Sequence, residues 1–343
     1  MEYKISVIMP IYNAEDKLDK TIQSIINQSI GFDNIELILV DDFSKDNSKD
    51  IILQYSEKYD NIIPCLLTEN HGCPSFGRNI GLEKATADFI MFIDNDDKYD
   101  VDICKNLYET ITSEDVDIVC CGKVYVDQIS NIKEQIVYLQ GIEKNNKVYI
   151  YDDNLLFFDS ITVWNKIYKK DIIQKNNLRF IDNAVGDDFA FTMDYYLSSN
   201  KLIYLKNYHG YYWNIRDDSL SHSISEKYVL DFINIYYYTL NQLKSKNKQH
   251  HVNNIFRTHL VHRIGDCTYL NLSIKETSKI LSKFHDFEKE ANFTGQLNVK
   301  WADVVNKLIL TKHYTLATLI LKTIKKLRDF TFLRKIVREM NKN

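Results

Sequence analysis

The feature that most constrains this chain is a rhythm that runs from its first strand to Cys121. Short apolar runs of strand character at Ile5–Ile11, Glu36–Val40, Ile62–Leu67, Asp88–Ile93 and Val116–Cys121 alternate with polar, amphipathic segments. Alternation of this kind predicts βαβ units around a parallel sheet. In such sheets ligands gather beyond the carboxyl ends of the strands, so the residues that end each run are the first candidates for chemistry. At 343 residues there is room for one α/β domain of roughly 200–250 residues and an appendage.

Composition removes several function classes. The chain carries 43 basic and 47 acidic residues, a net charge of −4, so no global positive field recommends a nucleic acid partner. Cys65, Cys73, Cys104, Cys120, Cys121 and Cys267 lie mostly in apolar runs without paired C-x-x-C spacing, which predicts reduced, buried thiols. The opening MEYKISVIMP enters a strand pattern without the marks of a secretory signal, so a cytoplasmic location is expected. No stretch reaches the roughly 18–20 uninterrupted apolar residues of a membrane-spanning helix.

The strand ends carry the chemistry. The first closes in Pro10-Ile11-Tyr12-Asn13, with Pro10 where a missing N–H is tolerated. The second closes in Val40-Asp41-Asp42-Phe43-Ser44, which sets adjacent carboxylates and a hydroxyl at the mouth of the sheet. Capping by Ser44 or Asp46 of a helix beginning near Asn47 is the plain alternative, and it leaves the paired aspartates unexplained. The third runs into Asn70-His71-Gly72-Cys73-Pro74-Ser75-Phe76-Gly77-Arg78-Asn79-Ile80-Gly81, whose glycines permit close backbone approach and whose Arg78 suits phosphate pairing or stacking on a base. Its spacing fits neither the GxGxxG fingerprint nor the GxxxxGK[ST] loop. The fourth, Phe89–Ile93, stops abruptly at Asp94-Asn95-Asp96-Asp97. Carboxylates crowded at the end of a buried strand are costly without a cation, and oxygen-only ligands suit Mg²⁺ or Mn²⁺ bridging to substrate phosphates. An acidic surface turn is the alternative, and it suits Asp97 and Asp100 better than Asp94 and Asp96.

In this order the four motifs resemble those of the family 2 glycosyltransferases, over roughly residues 4–220. The resemblance implies an α/β GT-A fold, a Rossmann-like nucleotide-binding sheet with helices on both faces. It also implies a donor site of Pro10, Tyr12, Asn13, Asp41, Asp42, Arg78, Asp94, Asn95 and Asp96. Asp42 would hold the nucleotide base, Arg78 would contact base, ribose or phosphate, and Asp94 with Asp96 would form the DxD metal motif, with Asp96 the direct ligand.

Farther on, Val185-Gly186-Asp187-Asp188-Phe189 resembles the family's Glu-Asp motif, with Asp187 in place of the usual Glu. By resemblance Asp188 is the general base and Asp187 its support. Chemistry agrees, because an acceptor hydroxyl is a weak nucleophile until a positioned carboxylate takes its proton. An acidic helix start favoured by the macrodipole is the alternative, and both can hold. Trp164-Asn165-Lys166-Ile167-Tyr168 and the segment from Tyr211 through Arg216 to Ser219 and Ser221 resemble flanking family segments. Aromatic faces suit sugar rings, so Trp164 and Trp213 are candidates for acceptor binding, with ordinary core tryptophans as the alternative; Lys166 and Arg216 are candidates for the diphosphate. His222 is weighed for the metal or diphosphate shell against an ordinary surface histidine.

Beyond Ser225 glycine is scarce, proline is absent and apolar residues recur at three and four, which predicts helices. The expected division is a catalytic domain over 1–222 and a helical region over 223–343. From Lys322 onward there are eight basic and two acidic residues, among leucines and isoleucines at helical spacing. A basic amphipathic helix over 315–343 suits an anionic membrane surface on the inner face of the cell membrane, where a lipid-linked acceptor would lie. Packing on the catalytic domain or on a second subunit, as in a homodimer, is the alternative.

Together these features imply transfer of a hexosyl or N-acetylhexosaminyl group from a nucleotide-sugar donor, a UDP-sugar, to a glycan or lipid-linked acceptor in bacterial surface-polysaccharide synthesis. Inversion of configuration follows from the resemblance alone. Two rival classes remain. A metal-dependent nucleotidyltransferase would carry a basic, glycine-rich loop after the first strand, where this chain has Tyr12-Asn13-Ala14-Glu15. A non-catalytic sugar-binding relative would have lost one of the acidic motifs.

Overall fold

The computed structural model describes residues 2–127, 135–136, 147–151, 162–182, 185–215 and 224–340; side chains are described for these residues apart from 127, 135–136, 147–151, 215 and 328–340. Two compact units divide the chain, Met1–Ser219 and Leu220–Asn343. The first runs β1 (Ile5–Ile11), α1 (Leu18–Ile26), β2 (Ile35–Asp41), α2 (Ser48–Lys58), β3 (Ile62–Leu66), α3 (Pro74–Lys84), β4 (Phe89–Phe92), β5 (Lys98–Tyr99), α4 (Ile103–Ser113), β6 (Ile118–Asp127), β7 (Gln135–Ile136), β8 (Lys147–Tyr151), β9 (Lys166–Lys169), α5 (Lys170–Lys175), α6 (Asp187–Ser198) and β10 (Lys201–Ile215).

These strands form one sheet in the order β3-β2-β1-β4-β9-β6-β10-β5, with β7 beside β6 and β8 beside β10. β3, β2, β1 and β4 are parallel, as the alternating rhythm predicts. β9 then enters antiparallel between β4 and β6, so the sheet as a whole is mixed. β1 and β2 are largely apolar because both of their faces are covered, and all seven residues of each are buried. Glu36 is tolerated within β2 because its carboxylate accepts hydrogen bonds from the Ser6 hydroxyl at 2.5 Å and from the Thr86 amide and hydroxyl at 2.8 and 2.9 Å.

Two helices fix the site's frame. α1 turns Leu18, Ile22 and Ile25 inward. α3 approaches β1 so closely that a Cβ at Gly81 would fall 2.2 Å from Ile8 Cγ2, which only glycine avoids. Pro10 sits in an interior strand, yet it breaks no ladder. Pairing of β1 with β4 ends at Ile8 and Phe92, and past that point the Asn95 side-chain amide donates to the Pro10 carbonyl at 3.2 Å.

The second unit is helical: α7 (Glu226–Ser245), α8 (Val252–Asp266), α9 (Ile274–Ala291), α10 (Lys300–Leu310) and α11 (Tyr314–Met340). Its core gathers Tyr236, Phe256, Phe284 and Phe287. A capping box opens α9, with Ser273 and Glu276 satisfying each other's backbone amides. α11 departs from the expected one-sided amphipathic pattern. Ala317 and Leu321 are buried while Leu316, Leu319 and Leu327 are 48%, 45% and 62% exposed, so its apolar side chains lie both inward and outward. Among the described residues no helix is long and apolar enough to cross a membrane.

Candidate active site

The exits of β1 and β2 are stitched together. Asn13, with φ of 46°, donates its amide N–H to Ser44 Oγ at 2.9 Å and accepts from the Lys45 amide through Oδ1 at 2.8 Å. Asp41 is buried and accepts from the Ser44 hydroxyl at 2.5 Å and the Ser44 amide at 3.2 Å, which closes the turn. Tyr12 stands 45% exposed beside this junction. Asp42 is turned onto the loop before α3: it accepts from the His71 amide at 2.9 and 3.0 Å and from the Gly72 amide at 3.1 Å, with His71 Nδ1 also 3.0 Å away. The His71 ring stacks on Phe76 at 3.6 Å. Sequence reasoning passed over His71 and Phe76, because nothing in their spacing announces that Asp42 reaches back to them.

Arg78 has a different place from the one its motif implies. Its side chain is 3% exposed, and its guanidinium is shared by three carboxylates: Nη2 lies 2.8 Å from Asp94 Oδ1, and Nη1 lies 2.5 Å from Asp188 Oδ1 and 3.2 Å from Asp187 Oδ2. Phe180 lies beneath it at 5.3 Å. Burial opposes the guanidinium's charge, and the three carboxylates, Asp188 foremost, more than offset it. As a donor contact Arg78 is therefore corrected: it is a buried clasp joining α3, the end of β4 and the start of α6. Gly186, with φ of 91°, precedes α6 and lets the chain turn so that Asp187 and Asp188 occupy its first turn. Burial pushes both carboxyls above their ordinary range, Arg78 pulls them down, and their mutual repulsion with Asp94 pushes Asp188 up again.

The acid turn after β4 does not follow the surface-turn alternative. Asp97, which that alternative suited, is 2% exposed, whereas the Asp94 and Asp96 side chains are 33% and 29% exposed. Asp97 accepts from the Tyr211 hydroxyl at 2.6 Å and from the Asn214 amide at 2.8 Å. Burial, reinforced by Asp94 and Asp96, raises its pKa well above the ordinary value. Lys17 approaches Asp96 at 3.9 Å. Among the described residues no three His, Cys, Asp or Glu side chains are grouped to hold an ion.

Two further candidates are corrected by burial. Lys166 is 0% exposed, and its ammonium donates to Asn165 Oδ1 at 2.7 Å and to the Thr162 carbonyl, so these bonds are made within its own segment. Burial pushes its pKa down. Trp164 is 4% exposed, with one face stacked on Tyr211 at 3.9 Å, and offers no open platform to a sugar. Trp213 is half-buried, 4.9 Å from Tyr125, with Lys123 Nζ 5.5 Å from its ring. Arg216 and His222 lie outside the described residues.

With this geometry in hand, the sequence model of the glycosyl transferase family 2 matches residues 6–177, half of the chain. The chain belongs to glycosyl transferase family 2. Among its relatives, glycosyltransferase GlyA of Streptococcus pneumoniae is 34% identical over 237 residues, 66% of this chain but only 32% of GlyA. The poly(ribitol-phosphate) β-N-acetylglucosaminyltransferase TarP of Staphylococcus aureus is 28% identical over 303 residues, 84% of this chain and 88% of TarP. Among solved structures, residues 1–349 of S. aureus TarS in complex with UDP-GlcNAc superpose with a TM-score of 0.72 at 22% identity, covering 96% of this chain and 92% of that one. That likeness establishes the GT-A fold for this family 2 member.

Proposed function

We propose that this family 2 member is an inverting glycosyltransferase. It moves a sugar from a nucleoside-diphosphate sugar to a hydroxyl of a glycan or lipid-linked glycan, with the catalytic part over residues 1–222. The observation that carries this is the convergence of Asp94, two residues before Asp96, with Asp187 and Asp188 on the Arg78 guanidinium. Even without Asp97, the carboxylates of Asp94, Asp96, Asp187 and Asp188 outnumber the cations Arg78 and Lys17, and a divalent ion would offset that excess. The oxygen-only donors fit Mn²⁺ or Mg²⁺, which Asp96 with Asp94 would hold. When bound, the ion neutralises charge developing on the departing diphosphate.

The remaining steps fall to the protein's own groups. Asp188 accepts the proton of the acceptor hydroxyl as that oxygen attacks the anomeric carbon. The bond from this carbon to the diphosphate oxygen breaks, and its electron pair leaves with the nucleoside diphosphate. One displacement inverts the configuration. Asp187 and Arg78 orient Asp188, while Pro10, Tyr12, Asn13, Asp41, Asp42 and Asn95 frame the nucleotide. Trp213 is the aromatic face retained for the acceptor.

TarP is named for N-acetylglucosaminyl transfer onto poly(ribitol phosphate), and TarS was solved with UDP-GlcNAc. Both support a UDP-sugar donor and hexosyl or N-acetylhexosaminyl transfer to a bacterial cell-surface polymer. The exposed Leu316, Leu319 and Leu327, with the surplus of lysine and arginine beyond Lys322, support contact of residues 315–343 with an anionic membrane surface on the cytoplasmic side. A second copy of the chain over those leucines is the competing arrangement, which sedimentation would reveal.

The test is hydrolysis of a panel of nucleotide sugars with and without Mn²⁺, comparing the wild type with Asp96→Ala. Metal-dependent release of one nucleoside diphosphate, lost in the variant, is expected. Absence of both hydrolysis and calorimetric binding for every nucleotide in the panel would refute the assignment.

A further inference from the structure

The turn Asp94-Asn95-Asp96-Asp97 faces a physical difficulty that its own residues do not resolve. Carboxylates gathered to receive a dication repel one another before it arrives, so the turn must be held by bonds that leave the ion-facing oxygens available. Two residues of β10 supply such bonds. The Tyr211 hydroxyl donates to Asp97 Oδ2 at 2.6 Å and accepts from the Asp94 amide at 3.3 Å, so one oxygen atom ties both ends of the turn. Asn214 donates its amide to Asp97 Oδ1 at 2.8 Å and its side-chain Nδ2 to the Asp96 carbonyl at 2.5 Å. From the opposite side, the Thr21 hydroxyl reaches the Asn95 and Asp97 carbonyls at 3.1 and 2.8 Å. Every one of these bonds falls on the backbone of the turn or on the Asp97 carboxylate, and none uses the Asp94 or Asp96 carboxylate.

The Tyr211 ring is itself immobilised. Trp164 stacks on it at 3.9 Å with an interplanar angle of 19°, and Tyr99 meets it edge-on at 5.8 Å. Tyr99 in turn donates its hydroxyl to the Phe92 carbonyl at 2.7 Å, at the end of β4. The phenol hydroxyl therefore stands as a fixed post, placed by tryptophan and tyrosine packing and aimed at the acid turn.

We propose that Tyr211 and Asp97, braced by Trp164 and Asn214, are positioning residues that hold the Asp94–Asp96 carboxylates in the geometry that receives the divalent ion and the donor diphosphate. This rests on the assignment of Asp94 and Asp96 to that ion. It gives the tryptophan and tyrosine of these two segments a task in the reaction that does not require contact with a sugar.

The experiment is Mn²⁺ binding in the presence of UDP, followed by the electron paramagnetic resonance signal of free Mn²⁺, for wild type, Tyr211→Phe, Asn214→Ala, Asp97→Asn and Asp97→Ala, with thermal melting recorded in parallel. Tyr211→Phe keeps the ring stack and removes one oxygen. Its Mn²⁺·UDP affinity is expected to fall by ~10-fold or more, the range for loss of a group that orients a metal ligand. Asp97→Asn, which preserves the shape and one acceptor, is expected to retain more affinity than Asp97→Ala. A Tyr211→Phe protein that melts lower but binds Mn²⁺·UDP within ~2-fold of wild type would overturn the proposal, since a purely structural hydroxyl moves the melt alone. Should Tyr211→Phe fail to fold, the half-buried Asn214→Ala decides by the same criterion. Failure of the wild type to bind Mn²⁺ with UDP would instead strike the ion assignment itself, and this proposal with it.

Discussion

Nη1 of Arg78 lies 2.5 Å from Oδ1 of Asp188, a contact that joins α3 to the start of α6 across 110 positions of sequence. The same guanidinium bonds Asp94 through its other nitrogen at 2.8 Å. The candidate base and the candidate metal turn are thus held at a fixed separation by one planar group with two arms, a task for which a lysine ammonium lacks the geometry.

Removing that group should cost much more than an exposed ion pair would. Arg78→Gln leaves three carboxylates around a 3% exposed position without their counter-charge, and a loss of ~3–5 kcal/mol in unfolding free energy is expected. Arg78→Lys, which keeps the charge and loses the fork, should fall between the two. Urea denaturation of the three proteins checks the order, and a Gln variant as stable as wild type would contradict it.

Core tryptophan and open aromatic platform are separable. Trp164→Ala should destabilise by ~3–5 kcal/mol, because it empties a packed site against Tyr211. Trp213→Ala, at a half-buried position, should cost clearly less in the same denaturation assay. Equal losses would mean that Trp213 is as much a core residue as Trp164.

In the helical unit, Glu288 is 1% exposed; its Oε2 accepts from Asn306 Nδ2 at 2.9 Å, while its Oε1 has no hydrogen-bond partner among the described residues. Burial pushes its pKa up to about 7 from an ordinary value of 4.5. With the folded value raised, the proton is held more tightly in the folded state. The stability this contributes is fully present below about 4.5 and lost as pH rises through about 7, an amount of order 3 kcal/mol. Glu288→Gln should remove that part of the pH dependence and melt higher than wild type at pH 8. Parallel pH profiles for the two proteins would rule the effect out.

Much of the β1–β4 half of the sheet was legible because its signals are local. β1 was expected at Ile5–Ile11 and is found there, and the fourth apolar run ends at the acid turn that crowns β4. What sequence left obscure depends on long-range register. Asp97 looks like a surface residue until Tyr211, 114 positions away, is placed above it by the pairing of β10 with β5 and β6. Lys166 and Trp164 stand out as ligand candidates because charge and aromaticity are visible in a sequence, while the antiparallel insertion of β9, which decides for the core tryptophan, is not. α11 shows the same limit: its spacing is helical, but which leucines turn inward depends on the helices it meets.

The most direct test of the central claim is Asp188→Asn, which keeps the shape of the side chain and removes its capacity to take a proton. Turnover of the nucleotide sugar identified by the hydrolysis panel should fall by ~10²–10⁴-fold, while Mn²⁺·UDP binding stays within a few-fold of wild type. Turnover within ~10-fold of wild type would contradict the assignment of Asp188 as the base.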